Sequence, residues 1–564
     1  MRIKIFPFVL IALLISYIHL PLSVSAENKP VATPETPTAP GTTPLPNQSP
    51  VVTPSTEKQP PVAVPSDGKV ESVPSSDGPV TDSPEEDAAE AEDETAEDGE
   101  ETDETVVNLT MHHRINDEKP LDETQVEPDL LVLLQTFKTE MIAQLAKHAY
   151  PLQIETIVQP LLAEDLTATV GMLPSLIIKT QFDSSGSGQS HFTLPATQRK
   201  IPTTEKYGKI TVDWKGLQGQ LNFTDKLKSL TTSIDIAGLL LEEEKGFDLS
   251  LGKTTLGAEF DADLIPIKMN LVLPSLKISH DQIHLSVQNA IFDAKIEKRT
   301  QGVDLSNVKL KVNQASFGED KNQATLTNFE LTGHGEVQEK GVFYGIRTTL
   351  DKLLLPKGTA FDDEDLEINY SGNIELRHLD VATTVELQKT ARELQKQRQS
   401  STISEEMMNF AMLGKLMEVA PKLLAKSPEI SMTQMNVKTN HGELQGKLTM
   451  SVNGETPISF EESSGFLAAL RAQAEFSIHK GLMEKIFNKQ LYQQLLKKQP
   501  GDKKPTATEL ADLEKQASTM TKQRLQNYIQ QKLLLDTGGN VYKIIAQLQD
   551  GKLTVNGQEV PLPF

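Results

Sequence analysis

Cysteine is absent from the 564 residues, which excludes disulfides, thiolate metal sites, cysteine nucleophiles and lipid attachment to a cysteine behind an export signal. Aromatic residues make up only 5 % and tryptophan occurs once, at Trp214, leaving little material for stacking single-stranded nucleic acid or sugars. Basic residues are outnumbered, 55 against 78 acidic ones. The resulting charge of −23 has the wrong sign for a phosphate backbone. Reactive signatures are missing too: there is no Gly-x-Ser-x-Gly, no His-Glu-x-x-His, no phosphate-binding loop and no dinucleotide fingerprint. Gly252-Lys253-Thr254 ends like a phosphate loop, but Gly246 stands one residue too far ahead of it. Gly186-Ser187-Gly188 lies in a Ser-rich turn, and Asp362-Asp363-Glu364-Asp365 lacks the alternating spacing of a calcium loop. The chain therefore reads as non-catalytic, with no cofactor and no metal ligand set.

What the sequence does contain begins with an export segment. Arg2 and Lys4 precede an apolar stretch from Ile5 to Leu20, Pro21 breaks it, and Val24-Ser-Ala26 supplies the small residues a signal peptidase needs. Counted from Ile3 the stretch is also long enough for an uncleaved inner-membrane anchor, so residues 1–26 are read as a signal peptide or an anchor touching the membrane through residues 5–22. Residues 27–124 read as a disordered tether, first rich in Pro and Thr and then acidic. Fourteen acidic residues and no basic one fall between Asp82 and Glu104, which leaves −9 to the rest of the chain. His112 and His113 follow in a polar segment without a spaced third ligand.

Residues 125–390 read as a helix followed by a β-rich region. Leu130, Leu133, Leu134, Phe137, Met141, Leu145 and His148 recur at three- and four-residue steps, the pattern of an amphipathic helix. From about residue 165 the period changes to two, as in Leu217, Gly219, Leu221 and Phe223 against Gln218, Gln220 and Asn222. Comparable alternation marks Ile283 to Val287, Val308 to Val312, Phe329 to Val337 and Leu366 to Leu376, with interspersed glycines suggesting bulges. No helix of useful length separates these runs, so an antiparallel meander is expected. Leu173-Pro-Ser-Leu176 and Leu273-Pro-Ser-Leu276 echo each other, either as two related halves or by chance.

Residues 391–564 read as a mixed C-terminal region of the same fold. Helices are expected over 390–399, over a segment opened by Ser404 with Met408, Met412, Leu416 and Val419 on one face, and over 466–474, 482–498 and 509–535. Strands are expected over 430–437 and 443–452, and a terminal hairpin pair at Asp550-Gly551 and Asn556-Gly557. The fold class is α+β: a large curved, mainly antiparallel sheet with packed helices and a C-terminal helical segment.

The stretch from Leu423 to Leu448, with Pro428, Gly442 and Gly446, resembles the YdgA-like family of bacterial envelope proteins. So do Trp214-Lys-Gly216-Leu-Gln-Gly219 and the ending with Gly551, Asn556 and Gly557. The resemblance spans about residues 165–564 and implies a Gram-negative protein exported by its N-terminal segment, held in the periplasm or on the periplasmic face of the inner membrane, with no defined activity. A long tether is an addition to that pattern, and an early His-Gly-Pro turn survives only as His191-Phe-Thr-Leu-Pro195. The leading expectation is a non-catalytic envelope protein that binds a protein partner or itself. The alternative is lipid or hydrophobic-ligand binding or transfer in an apolar groove of the sheet. The two differ in whether Leu221, Leu285, Leu310 and Ile368 line an open surface or a sealed interior.

Overall fold

The structure, a computed structural model, describes residues 108–116, 123–126, 130–161, 171–202, 208–224, 227–244, 246–296, 300–319, 322–358, 364–399, 405–455, 467–498 and 506–561. The export segment with Val24 and Ala26, and the Pro/Thr-rich and acidic stretches, lie outside them.

The chain opens with β1 (Asn108–Ile115), β2 (Thr124–Val126), α1 (Leu130–Lys147), β3 (Leu152–Leu161) and β4 (Leu176–Phe182). Eight short strands follow: β5 (Gly188–Leu194), β6 (Thr197–Ile201), β7 (Ile210–Trp214), β8 (Leu217–Thr224), β9 (Ser229–Ile236), β10 (Leu239–Glu243), β11 (Phe247–Leu251) and β12 (Thr254–Phe260). Six long ones come next: β13 (Pro266–His280), β14 (Ile283–Ile296), β15 (Ser306–Glu319), β16 (Asn322–Gln338), β17 (Gly341–Leu355) and β18 (Leu366–Leu379). A helical pair, α2 (Val381–Gln399) and α3 (Glu405–Leu424), leads to β19 (Glu429–Thr439), β20 (Gly442–Val452) and β21 (Leu470–His479). A second pair, α4 (Lys480–Lys497) and α5 (Ala507–Gln530), precedes β22 (Leu535–Asp536), β23 (Val541–Gln549), β24 (Lys552–Val555) and β25 (Gln558–Val560).

All of these strands join one antiparallel sheet. β1 sits between β2 and β3, and from β3 the order follows the chain to β21, which pairs directly with β23, then β24 and β25, while β22 pairs only with β23. The eight short strands are halves of four long ones. β5 and β8 pair in the same register as β6 and β7, with Leu194 opposite Leu217 and Thr197 opposite Trp214. The same holds for β8 with β9 and β7 with β10, for β9 with β12 and β10 with β11, and for β12 and β11 against β13.

The breaks between halves form a line across the sheet. Pro195-Ala196 stands beside Lys215-Gly216, then Ala237-Gly238, then Gly252, whose amide donates to the Ser275 carbonyl at 2.9 Å. The line continues through the long strands, where pairing lapses at Pro274, Asn289, Asn313, Asn328 and Asp351. Gly216 (φ +101), Gly238 (φ +141), Asn289 and Asn328 (both φ +50) take the left-handed backbone that glycine and asparagine tolerate best. Across this line the apolar set steps by three instead of two in seven of the strands: Trp214 to Leu217, Ile236 to Leu239, Leu273 to Leu276, Val287 to Ala290, Val312 to Ala315, Leu326 to Phe329 and Leu350 to Leu353. The register is the same on the two sides of the line, so both strands of each of these pairs carry the extra residue, and side chains three apart across it keep one face. Burial agrees, since Trp214, Leu239 and Leu251 on one side of the line are as enclosed as Leu221, Phe223 and Ile236 on the other.

Local chemistry accounts for the ends of several elements. Asp550 (φ +51) with Gly551 (φ +73), and Asn556 (φ +50) with Gly557 (φ +80), take positive φ at both central positions of the hairpin turns, as a two-residue connection requires. Thr506 and Glu509 close a reciprocal capping box at the start of α5. On α1 the expected stripe is inward, with Phe137, Met141 and Leu145 buried.

Two expectations are corrected. Of the helix expected over 466–474 only residues 467–469 are helical among the described residues, and residues 470–479 form β21, paired with β20 and β23. Ala472 and Ala474 have high helix propensity, but Leu470, Ala472, Ala474, Phe476 and Ile478 alternate, and two flanking strands override propensity. His112 and His113 lie on β1, paired along β3, and are not part of a flexible segment.

Candidate functional site

Because opposed residues in neighbouring strands share a face, that face can be followed row by row along the strand register. One row runs Leu256, Leu271, Phe292, Leu310, Leu331, Thr348, Gly372, Met435, Gly446, Phe476 and Ile544 from β12 to β23. The next runs Met269, Ala294, Val308, Gly333, Ile346, Ile374, Met432, Leu448, Ala474 and Ala546. Apart from one threonine both rows are apolar or glycine, over ten or more strands. The extra residue at the bulge between Met432 and Met435 keeps both methionines in these rows.

The strand glycines have a common cause. Gly446 lies opposite Phe476, Gly335 opposite Tyr344 and Gly219 opposite Phe192, and in each case the aromatic ring occupies the space a Cβ would need. Ring and glycine make one flat tile, so these glycines level the apolar face where sequence patterning suggested bulges.

The opposite face is charged and paired. Lys447 and Lys543 reach the Glu475 carboxylate at 2.7 and 2.6 Å, and their hydrogen bonds hold it down to about 2. Arg377 pairs with Glu375 and Glu429, Lys309 with Glu330 and Lys268 with Glu259.

Helices cover only the margins of the apolar face. α2 seats Val381 and Val385 on a cluster formed by Val303, Leu305 and Val342, with Val337, Tyr344 and Leu379 packed against it. Gln388 on the same helix donates to the Tyr344 hydroxyl at 3.3 Å and bridges to Asp304. α4 and α5 cover the other margin through Leu482 and Leu525, packed with Ile478 and Tyr542. Between these covers the surface is open. Ile346 and Ile374, directly opposed, are 36 % and 48 % exposed, and Ile430 is 46 % exposed. Phe317 on β15 is 59 % exposed. Of the residues expected to separate an open surface from a sealed one, Leu221 is buried, while Leu285, Leu310 and Ile368 are only half-buried.

The residues singled out by family resemblance hold the frame. Trp214 is buried at the end of β7, Gly216 lies on the break line, and Gly219 and Gly446 accept aromatic rings. Pro428 leads into β19, Gly442 (φ +135) opens β20 against His479, and Gly551, Asn556 and Gly557 make the terminal turns. Gly186-Ser187 belongs to a turn in which the Asp183 carboxylate accepts the Ser185 and Ser187 amides. The described part of the acidic tetrad is committed elsewhere: Glu364 pairs with Lys485 at 2.8 Å and Asp365 accepts the Lys357 amide. No group of three or more His, Asp or Glu side chains among the described residues is placed to hold a metal ion. The two copies of Leu-Pro-Ser-Leu occupy different places, one leading into β4 and the other inside β13 on the break line.

His113 is buried beneath α1. Its Nδ1 lies 2.8 Å from the Thr156 hydroxyl, and Glu140 of α1 is 3.9 Å from Nε2. Burial lowers its pKa from the ordinary imidazole value, Glu140 opposes that shift, and His112 adds to it.

Residues 153–264 and 255–563 match the profile of a family described as a bacterial protein of unknown function, DUF945. No curated protein and no solved structure matches the chain.

Proposed function

This chain belongs to the bacterial DUF945 family, whose function is unknown, and from its surfaces we propose that it is a non-catalytic carrier that holds the acyl chain of a lipid or similar amphiphile against the apolar face of its sheet. The observation that carries the reading is the opposed pair Ile346 and Ile374. In a continuous apolar row they stand about a third to a half exposed, where a sealed scaffold would bury them. Contiguous apolar surface bordered by helices is what an apolar ligand requires, and the absence of charge from the two rows suits hydrocarbon.

The setting proposed is the bacterial envelope, in the periplasm or on the periplasmic face of the inner membrane. Residues 1–26 support it through their basic start, apolar stretch and small-residue cleavage pattern, and the resemblance to YdgA-like envelope proteins is consistent with the family. Among the described residues no helix is long and apolar enough to cross a membrane.

A photoreactive benzophenone side chain placed at Ile374 tests the reading, with the same group at Glu375 on the charged face as the control. Irradiation in a membrane extract is expected to link lipid to position 374 and not to 375. Equal labelling at both, or none at 374, would refute an acyl-chain site.

A further inference from the structure

Three rows of the apolar face cross the strands from β15 to β20. Beside the rows through Leu310 and Val308, a third runs Val312, Phe329, Leu350, Tyr370, Val437 and Leu444. In these strands Thr348 and Tyr370 alone among the three rows carry a side-chain oxygen or nitrogen, and the two meet at one point. Thr348 on β17 is directly opposed to Gly372 on β18, and the Tyr370 ring lies over Gly372 with its hydroxyl where a Cβ would stand. Opposed β-carbons are about 5 Å apart, which leaves the two hydroxyls unbonded to each other yet close enough for one oxygen between them to accept from both. Among the described residues neither hydroxyl has a hydrogen-bond partner in the protein. Ile346 and Ile374, the exposed pair, are the next residues of these two strands on the same face.

We propose that Thr348 and Tyr370 form a notch for the carbonyl oxygen of an ester, and that the ligand of the apolar face is an acyl ester, such as a glycerolipid, and not a free fatty acid. This assignment rests on the acyl-chain reading and adds the linkage that the site recognises. A carbonyl oxygen has two lone pairs and no hydrogen to donate, which matches two hydroxyl donors converging on one point. A hydroxyl covered by hydrocarbon is costly unless it is bonded, so a ligand that displaces water from both groups must supply an acceptor in its place. Charge separates ester from acid. No Lys, Arg or His stands in the three rows, and Arg347, next to Thr348, alternates to the opposite face. An ionised carboxylate would leave water there without a cation to meet it. From Gly372 the acyl chain runs over Ile374 and Ile346.

The test offers the full chain mixed vesicles holding equal amounts of diacyl phosphatidylcholine, its dialkyl ether analogue of matched chain length, and oleate, and reads the retained lipids by mass spectrometry. The ether keeps the headgroup and the chains and lacks only the carbonyl groups. The parent chain is expected to retain ester over ether by about fivefold or more, the worth of at least one neutral hydrogen bond, and to leave oleate behind. Tyr370→Phe with Thr348→Val removes both hydroxyls while keeping the ring over Gly372, and should bring ester and ether to equal retention. Equal retention by the parent would overturn the notch and leave the acyl-chain reading standing, since the hydroxyls would then only face water. A preference that survives in the double variant, or oleate held ahead of the ester, would overturn it as well. A parent that retains none of the three would overturn both readings.

Discussion

Gly446 and Phe476 face each other across β20 and β21, and the phenyl ring lies where a side chain at 446 would have to go. Met435, opposite Gly446 on the other side, brings its Cε to 3.1 Å of the same point. The site therefore has a ring on one side and a thioether on the other, with no free volume between them. Gly446→Leu is expected to cost about 1–3 kcal/mol by overpacking. Denaturant unfolding of that variant against Phe476→Ala, and of the double variant, should show coupling, because removing the ring vacates the space the leucine needs.

Asn289 tests the break line. At φ +50 its backbone penalises a β-carbon that has no polar group to compensate, so Asn289→Ala should destabilise by about 1 kcal/mol. Asn289→Gly should be close to neutral. Equal losses in both variants by thermal unfolding would mean that the conformation there is not left-handed.

His113 gives a pH dependence with a defined sign. Burial holds its folded pKa below 6.5, so between the two values the unfolded chain binds a proton that the folded chain does not. That contribution to stability is present above about 6.5 and declines as the pH falls through the window beneath it. Glu140 on α1 and the Thr156 hydroxyl face it, and the charge of His112, the preceding residue on β1, acts on it from the other face of the strand. Replacement by asparagine should flatten part of the loss in melting temperature between pH 7 and 5, read as the difference from the parent chain.

Much of the sheet was legible because alternation reports a strand directly: Leu217 to Phe223, Val308 to Val312 and Leu366 to Leu376 all pair as expected. α1 was legible from its stripe and the last hairpins from Asp550-Gly551 and Asn556-Gly557. β21 was not, because alanines at 472 and 474 satisfy a helical pattern and only its neighbours decide. The break line was present in the sequence as the repeated step of three beside Gly, Pro or Asn, as in Leu273-Pro274-Ser275-Leu276, but no single strand makes it stand out. Openness left no trace at all. Ile346 and Ile374 carry the same side chains whether or not a helix covers them, and coverage depends on where α2, α4 and α5 settle.

The central claim is that the open apolar face holds an acyl chain, and mass spectrometry of lipid retained by the purified chain tests it most directly. Lipid is expected bound to the parent protein, with most of it lost in Ile346→Asp with Ile374→Asp, whose exposed positions let the fold persist. A parent protein free of lipid, or equal lipid on the double variant, would contradict it.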